Sequence, residues 1–179
     1  MLLAVVPACG AWFLQAQYED GGEVSREYTI KAAYIYQFGR YVEWPAQAFA
    51  NEHAPLVIGV LGADPFGNLL EEISRTKRIG DRPIVIRRFA SAAEYSYSHI
   101  LFVPASVDQE QKTRILQKLQ GVPTLIVGEE PGFAERGGTI NFFLDENKIR
   151  FEINTEVARR DQLKISSKLL SLAKIVSRN

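Results

Sequence analysis

Leu56-Val57-Ile58-Gly59-Val60-Leu61-Gly62-Ala63-Asp64-Pro65-Phe66 is the stretch that decides the fold. A short apolar run closed by Gly62 reads as a buried strand. Asp64 can cap a helix and Pro65 suits its first position, so a helix is expected over 66–75. Working outward, 82–89, 98–104 and 123–127 read as further strands. Between the last two lies a polar amphipathic helix over 108–119, with Ile115 and Leu119 four apart. Glu129-Glu130-Pro131-Gly132-Phe133 opens a short turn or helix that stops at Gly137-Gly138. Upstream, 25–44 reads as a helix capped by Ser25 and ended by Pro45. Its aromatic load is high: Tyr28, Tyr34, Tyr36, Phe38, Tyr41 and Trp44. A helix this apolar either belongs to the core or lines a groove. Strands alternating with helices predict an α/β single domain with a mostly parallel sheet flanked by helices on both faces.

The alternation breaks near the end. Strands over 139–144 and 148–154 are joined by the turn Asp145-Glu146-Asn147-Lys148, which makes a C-terminal β-hairpin. That turn sets Leu144 opposite Ile149, Phe142 opposite Phe151 and Ile140 opposite Ile153. These six apolar side chains share one face, which must be the core face. The other face carries Asn141, Phe143, Arg150 and Glu152. An aromatic beside Arg and Glu has the composition of a protein–protein contact. A covering helix from the same chain is the alternative. A final helix is expected over 162–176. Its apolar side is Ile165, Leu169, Leu170, Leu172, Ala173 and Val176, with Lys164, Lys168, Lys174 and Arg178 opposite.

Composition narrows the function. The 179 residues are 46% hydrophobic, which fits one globular domain and excludes a disordered chain. Twenty-one basic and 21 acidic residues cancel, so the chain lacks the basic excess of a generic nucleic-acid binder. Residues 1–16 carry no charge, are largely apolar and end in Leu14-Gln15-Ala16, which reads as a signal peptide. The basic segment that normally precedes such a core is missing, so the true start lies upstream or the signal is weak. Residues 17–24 read as a flexible lead-in and 25–179 as the domain. Export to the periplasm follows, with lipid anchoring at Cys9 as the weaker alternative. Cys9 is the single cysteine, so cleavage near Ala16 leaves a mature chain that cannot mispair thiols. The mature chain has no stretch apolar enough to span a membrane. Two histidines, His53 and His99, sit in no recognised ligand spacing, so neither a metal nor a cofactor is expected.

The sequence has no Walker loop, no Gly-x-Gly-x-x-Gly, no Gly-x-Ser-x-Gly and no His-Glu-x-x-His, and no nucleophile–base pair emerges from spacing. An enzyme is therefore not expected. A small ligand could bind in the crevice after the first strand, at Gly62, Asp64 and Phe66, or in a groove lined by Tyr34, Tyr36 and Trp44. Glu129 and Glu130 are adjacent carboxylates, but neighbours in an extended segment point opposite ways and do not converge. Asp81, Arg82, Arg87 and Arg88 read as solvated charges at a sheet edge.

Several segments carry a resemblance. They are Lys31-Ala32-Ala33-Tyr34-Ile35-Tyr36-Gln37-Phe38 with Val42-Glu43-Trp44-Pro45, and Val60-Leu61-Gly62-Ala63-Asp64-Pro65-Phe66-Gly67. Ser98-His99-Ile100-Leu101-Phe102-Val103 follows, then Pro131-Gly132-Phe133 with Gly137-Gly138-Thr139-Ile140-Asn141-Phe142. Arg150-Phe151-Glu152-Ile153-Asn154 and Lys164-Ile165-Ser166-Ser167-Lys168-Leu169-Leu170 complete the set. In this order and spacing the chain resembles the YfiR-like family of bacterial periplasmic proteins. The resemblance implies a non-enzymatic regulator that binds the periplasmic sensor region of an inner-membrane diguanylate cyclase and represses it. It also implies capture by an outer-membrane lipoprotein, and an output in cyclic-di-GMP and biofilm formation. Well-known relatives carry disulfide-forming cysteines. The mature chain has none, so redox control through its own thiols does not carry over. The sequence leaves monomer and homodimer open.

Overall fold

The computed structural model describes residues 20–177, with side chains from Arg26 onward. The expected signal peptide over 1–16, with Cys9, lies outside the described residues. In chain order the elements are α1 (Asp20–Tyr41), β1 (Val42–Glu43), a 3-10 turn (Ala46–Ala48), β2 (Leu56–Leu61), α2 (Leu69–Thr76), β3 (Arg78–Ile79) and β4 (Arg82–Phe89). Then come β5 (Ile100–Val103), α3 (Gln109–Lys118), β6 (Leu125–Gly128), β7 (Ile140–Asp145), β8 (Lys148–Asn154), α4 (Thr155–Arg160), β9 (Lys164–Ile165), α5 (Ser167–Leu170) and β10 (Lys174–Val176).

Among the described residues, eight strands form one sheet in the order β10-β8-β7-β6-β5-β2-β4-β3. From β4 across to β7 every pairing is parallel. The chain moves one way from β2 to β4 and the other way from β5 to β6. Right-handed crossovers then place α2 and α3 on opposite faces. Alternate residues of β5 record this. Ile100 and Phe102 join a core with Ala32, Ile35 and Phe38 of α1 and Leu70 of α2. Leu101 and Val103 join a second core with Ile115 and Leu116 of α3. The expected α/β architecture is therefore the observed one. β2 is buried at every position because both its edges and both its faces are covered.

The hairpin register is the expected one: Ile140 faces Ile153, Phe142 faces Phe151 and Leu144 faces Ile149. One position departs. Leu144 is 62% exposed because the hairpin tip is not covered, although Ile149 stays buried. Element boundaries shift where non-local bonds or backbone conformation intervene. α1 starts at Asp20 and stops at Tyr41, since Val42 and Glu43 pair with Ile165 and Lys164 of β9. α2 starts at Leu69 rather than 66, because Gly67 takes φ 58° and interrupts the helical path.

The long final helix over 162–176 does not form. Asn154 caps α4 through its side chain, and Gln162, at φ 60°, turns the chain out of it. Ser166 then caps the short α5 by accepting from the Leu169 amide. Lys174, Ile175 and Val176 extend the sheet by pairing with Glu152, Ile153 and Asn154 of β8. The apolar residues spaced for a helix go to different elements: Ile165 pairs with Val42, Leu169 is buried, Leu172 is exposed and Val176 pairs with Asn154.

Pro131-Gly132-Phe133 and Gly137-Gly138 serve packing. The Phe133 ring is 1% exposed and lies against Gly128 and Gly138. A Cβ at either glycine would run into that ring. This close approach lets the segment after β6 lie flat on the sheet.

Candidate functional site

A doubly wound sheet offers a ligand crevice at the carboxyl ends of the strands where the order reverses, here between β2 and β5. In this protein its own side chains fill that place. Phe66 is 2% exposed and meets Phe102 edge-on at 4.8 Å and Tyr28 at 5.4 Å. Gly62 donates its amide to the Phe89 carbonyl at 2.8 Å. Asp64 accepts from the Phe66 amide at 2.8 Å and from Arg88 Nε at 2.7 Å, so its carboxylate caps a turn. The crevice expected at Gly62, Asp64 and Phe66 is therefore closed.

The expected aromatic groove does not assemble either. Tyr34 packs on Phe38, Phe142 and Phe151. Tyr36 donates its hydroxyl to the Arg78 carbonyl at 3.4 Å. Trp44 donates its indole N–H to the His99 carbonyl at 3.1 Å. These three rings serve three different contacts. The furrow along α1, about 680 Å³, is lined instead by Ala32 and Ala33 with Leu69 and Ile73 of α2. The arginines near β4 are also engaged. Arg82 donates to the carbonyls of Asn51 and Ala54, and Arg88 bridges Asp64 and Glu71.

Glu129 and Glu130 diverge as expected, and each meets a buried lysine. Glu129 accepts from Lys31 Nζ at 2.6 Å, the Tyr28 hydroxyl at 3.2 Å and the Ala105 amide at 2.9 Å. Lys31 also pairs with Glu27. Burial and the negative charge of Glu129 push the Tyr28 hydroxyl above the ordinary tyrosine range. On the opposite face Glu130 pairs with Lys112 of α3 and with Arg136, and accepts from Gln109. Burial opposes ionisation of Glu130. The hydrogen bonds from Lys112 and Gln109 outweigh it and hold the carboxyl below its usual range. Two adjacent carboxylates at one strand end thus pin one helix on each face.

The hairpin divides into a buried and an exposed half. Asn141 and Glu152 are 1% and 6% exposed, and Asn141 Nδ2 donates to Glu152 Oε1 at 3.0 Å. Lys174 of β10 lies opposite Glu152 in register, with Nζ 3.6 Å from Oε2, and sits over the Phe143 ring. The polar hairpin face expected to be open to solvent is therefore open only in part: Asn141 and Glu152 are buried, and the Lys174 side chain of β10, which extends the sheet beside β8, reaches over Glu152 and Phe143. Asn141 and Glu152 hold the sheet together and are withheld from a partner's direct contact. Phe143 is half-buried, and Arg150 opposite it is exposed. Leu144, Leu172 and Ile175 are 62%, 65% and 51% exposed, but by register Leu144 and Ile175 lie on the face of Ile140 and Ile153, away from Phe143. An aromatic beside two cations, Arg150 and Lys174, gives the Phe143 face the composition of a protein–protein contact. The helical reading of the C-terminus concealed Lys174 as a member of it.

The YfiR/HmsC-like family model (DUF4154) matches residues 28–174. The chain belongs to the YfiR/HmsC-like family. That family is a periplasmic, regulatory and non-catalytic one. The YfiR-like segments lie where the fold is most constrained: Lys31 in the buried ion pair, His99 under Trp44, and Phe133 between its glycines. No curated protein matches the sequence. Among solved structures, a conserved domain protein from Vibrio cholerae is 13% identical with a TM-score of 0.52, covering 84% of this chain and 60% of that one. An ABC domain in complex with L-Trp from Streptococcus pneumonia is 14% identical with a TM-score of 0.48, covering 67% and 55%. The chain thus spans about 55–60% of the length of these structures. At 13% identity the Vibrio cholerae protein speaks to fold alone. Among the described residues no helix is long and apolar enough to cross a membrane, and no cluster of His, Cys, Asp and Glu could hold a metal.

Proposed function

We propose that this YfiR/HmsC-like protein is exported to the periplasm, binds the sensor region of an inner-membrane diguanylate cyclase and holds the enzyme inactive. The family match across 28–174 carries this reading. Support for the contact surface comes from the hairpin face on which Phe143, Arg150 and Lys174 lie together. Asn141 and Glu152 act behind it, by fixing the strands that present it. A repressor of this kind binds one conformation of its partner better than the other. A tenfold bias takes about 1.4 kcal/mol of differential affinity, which a few such side chains can supply. Capture of the repressor by an outer-membrane lipoprotein would release the cyclase, raising cyclic-di-GMP and biofilm formation.

The test is cross-linking in the native envelope, then pull-down and mass spectrometry. The proposal expects a membrane protein with a cyclase domain, and its loss in the Phe143→Ala/Arg150→Ala variant. Repeated efficient cross-linking with no such protein at rest refutes the function. Capture unchanged in the folded variant keeps the function and discards the surface.

A further inference from the structure

His99 stands at the amino edge of the sheet, one residue before β5, and is 3% exposed. Its Nδ1 accepts from the Val57 amide at 3.0 Å. That bond fixes the tautomer: Nδ1 bears no proton, so Nε2–H donates to the Ala48 carbonyl at 3.1 Å. Phe49 stacks on the imidazole at 4.3 Å, and Trp44 donates to the His99 carbonyl. Residues 44–54 are otherwise tied mainly by short-range bonds, such as Ala48 N to Pro45 O and Ala54 N to Asn51 O. The other long-range clasps are Arg82, which bonds Asn51 and Ala54 and lies 3.8 Å over Phe49, and an exposed bond from Gln47 Nε2 to Gln162 Oε1 at 3.3 Å.

We propose that His99 is an acid-released latch: neutral imidazole clamps the 44–54 segment to the sheet, and protonation frees that segment while the core stays folded. The imidazolium carries two N–H groups and cannot accept from Val57, so two donors would face each other across a buried gap. The groups around the ring oppose the charge rather than welcome it. From β4 the guanidinium of Arg82 repels it. From the strand lead-in Tyr97 presents a ring at 5.0 Å and sends its hydroxyl to the Pro123 carbonyl. The segment itself brings Glu52 and His53, both exposed. Burial, with Arg82 adding to it, lowers the His99 pKa to about 4. Once the segment opens, the ring regains its ordinary value of about 6.5. Linkage then makes opening about tenfold more frequent for each pH unit lowered between those two values.

The chain has two histidines, so His53→Asn leaves a single imidazole to follow by NMR. In that background, amide exchange is measured from pH 7 to 4 at Val57, across 45–54, and at Leu101 as a core reference. The latch predicts that exchange at Val57 and over the segment, corrected for its intrinsic pH dependence, rises about tenfold per pH unit while Leu101 stays protected. In His99→Gln, whose amide can both accept from Val57 and donate to Ala48, the corrected rates should be flat. Three results overturn the proposal: a uniform rise that includes Leu101, which is global unfolding; flat rates with His99 present; or the same acid rise in His99→Gln. Should His99→Gln not fold, the single-imidazole protein decides alone. An imidazole that protonates while Val57 stays protected is then the contradicting result.

Discussion

Lys31→Met is the most telling single change for the architecture. It would leave the Glu129 carboxylate, 5% exposed, with the Tyr28 hydroxyl and the Ala105 amide as its remaining partners. Removing one member of a buried ion pair costs about 3–5 kcal/mol, because the other charge stays buried and uncompensated. Domains of this kind are stable by about 5–15 kcal/mol, so this single change removes a large share. Glu129→Gln should cost less, since Lys31 keeps Glu27, whose side chain is one-third exposed. The double variant Lys31→Met/Glu129→Gln removes both charges while the Gln carbonyl still accepts from Ala105. We expect it to be at least about 2 kcal/mol more stable than the sum of the single losses, a coupling within the range of residues in one network. Urea unfolding followed by circular dichroism measures all four proteins. Adding salt to about 0.5 M should barely change the coupling, because buried pairs are poorly screened. Additivity within about 0.5 kcal/mol would refute the reasoning, since it would mean the two charges do not compensate each other.

Gly128→Ala should destabilise by about 1–3 kcal/mol through the clash with Phe133, and pairing it with Phe133→Leu should recover part of that loss in the same unfolding assay. Arg88 holds the Glu71 carboxyl below its usual range, so the stability this pair supplies is complete above that range and is lost as pH falls through the lowered value. In Arg88→Gln the acid limb of the stability curve should therefore flatten; an unchanged limb would remove Glu71 from the account. Glu152→Ala should lower stability by about 1–3 kcal/mol by orphaning Asn141 Nδ2, whereas Phe143→Ala/Arg150→Ala should stay within about 1 kcal/mol of the parent by thermal unfolding.

Local rules made much of the fold legible. The unbroken apolar run of β2 marked the sheet centre. Period-two alternation with a four-residue turn fixed the register of β7 on β8. The divergence of Glu129 and Glu130 followed from extended geometry alone. What escaped depended on partners distant in the chain. Lys174 reaches Glu152 only because β10 returns to the sheet, so Asn141 and Glu152 read as exposed when they are buried. Residues 165–176 have helical spacing, yet Ser166 stops any long helix by capping a new one. Phe66 gave no sign that it fills the crevice, because filling depends on Tyr28 and Phe102 arriving there. Lys31, a cation within an aromatic helix, and the Glu pair after a strand were the available signals for the buried ion pairs. Sequence alone could not join them.

The most direct test of the proposed function is titration of the purified mature protein against the isolated periplasmic sensor region of the membrane cyclase encoded in the same cell. The parent is compared with Phe143→Ala/Arg150→Ala by isothermal calorimetry. Saturable binding by the parent, weakened at least about tenfold in the folded variant, is the expected result. Absence of binding by the parent at protein concentrations well above the micromolar range would contradict the repressor reading itself.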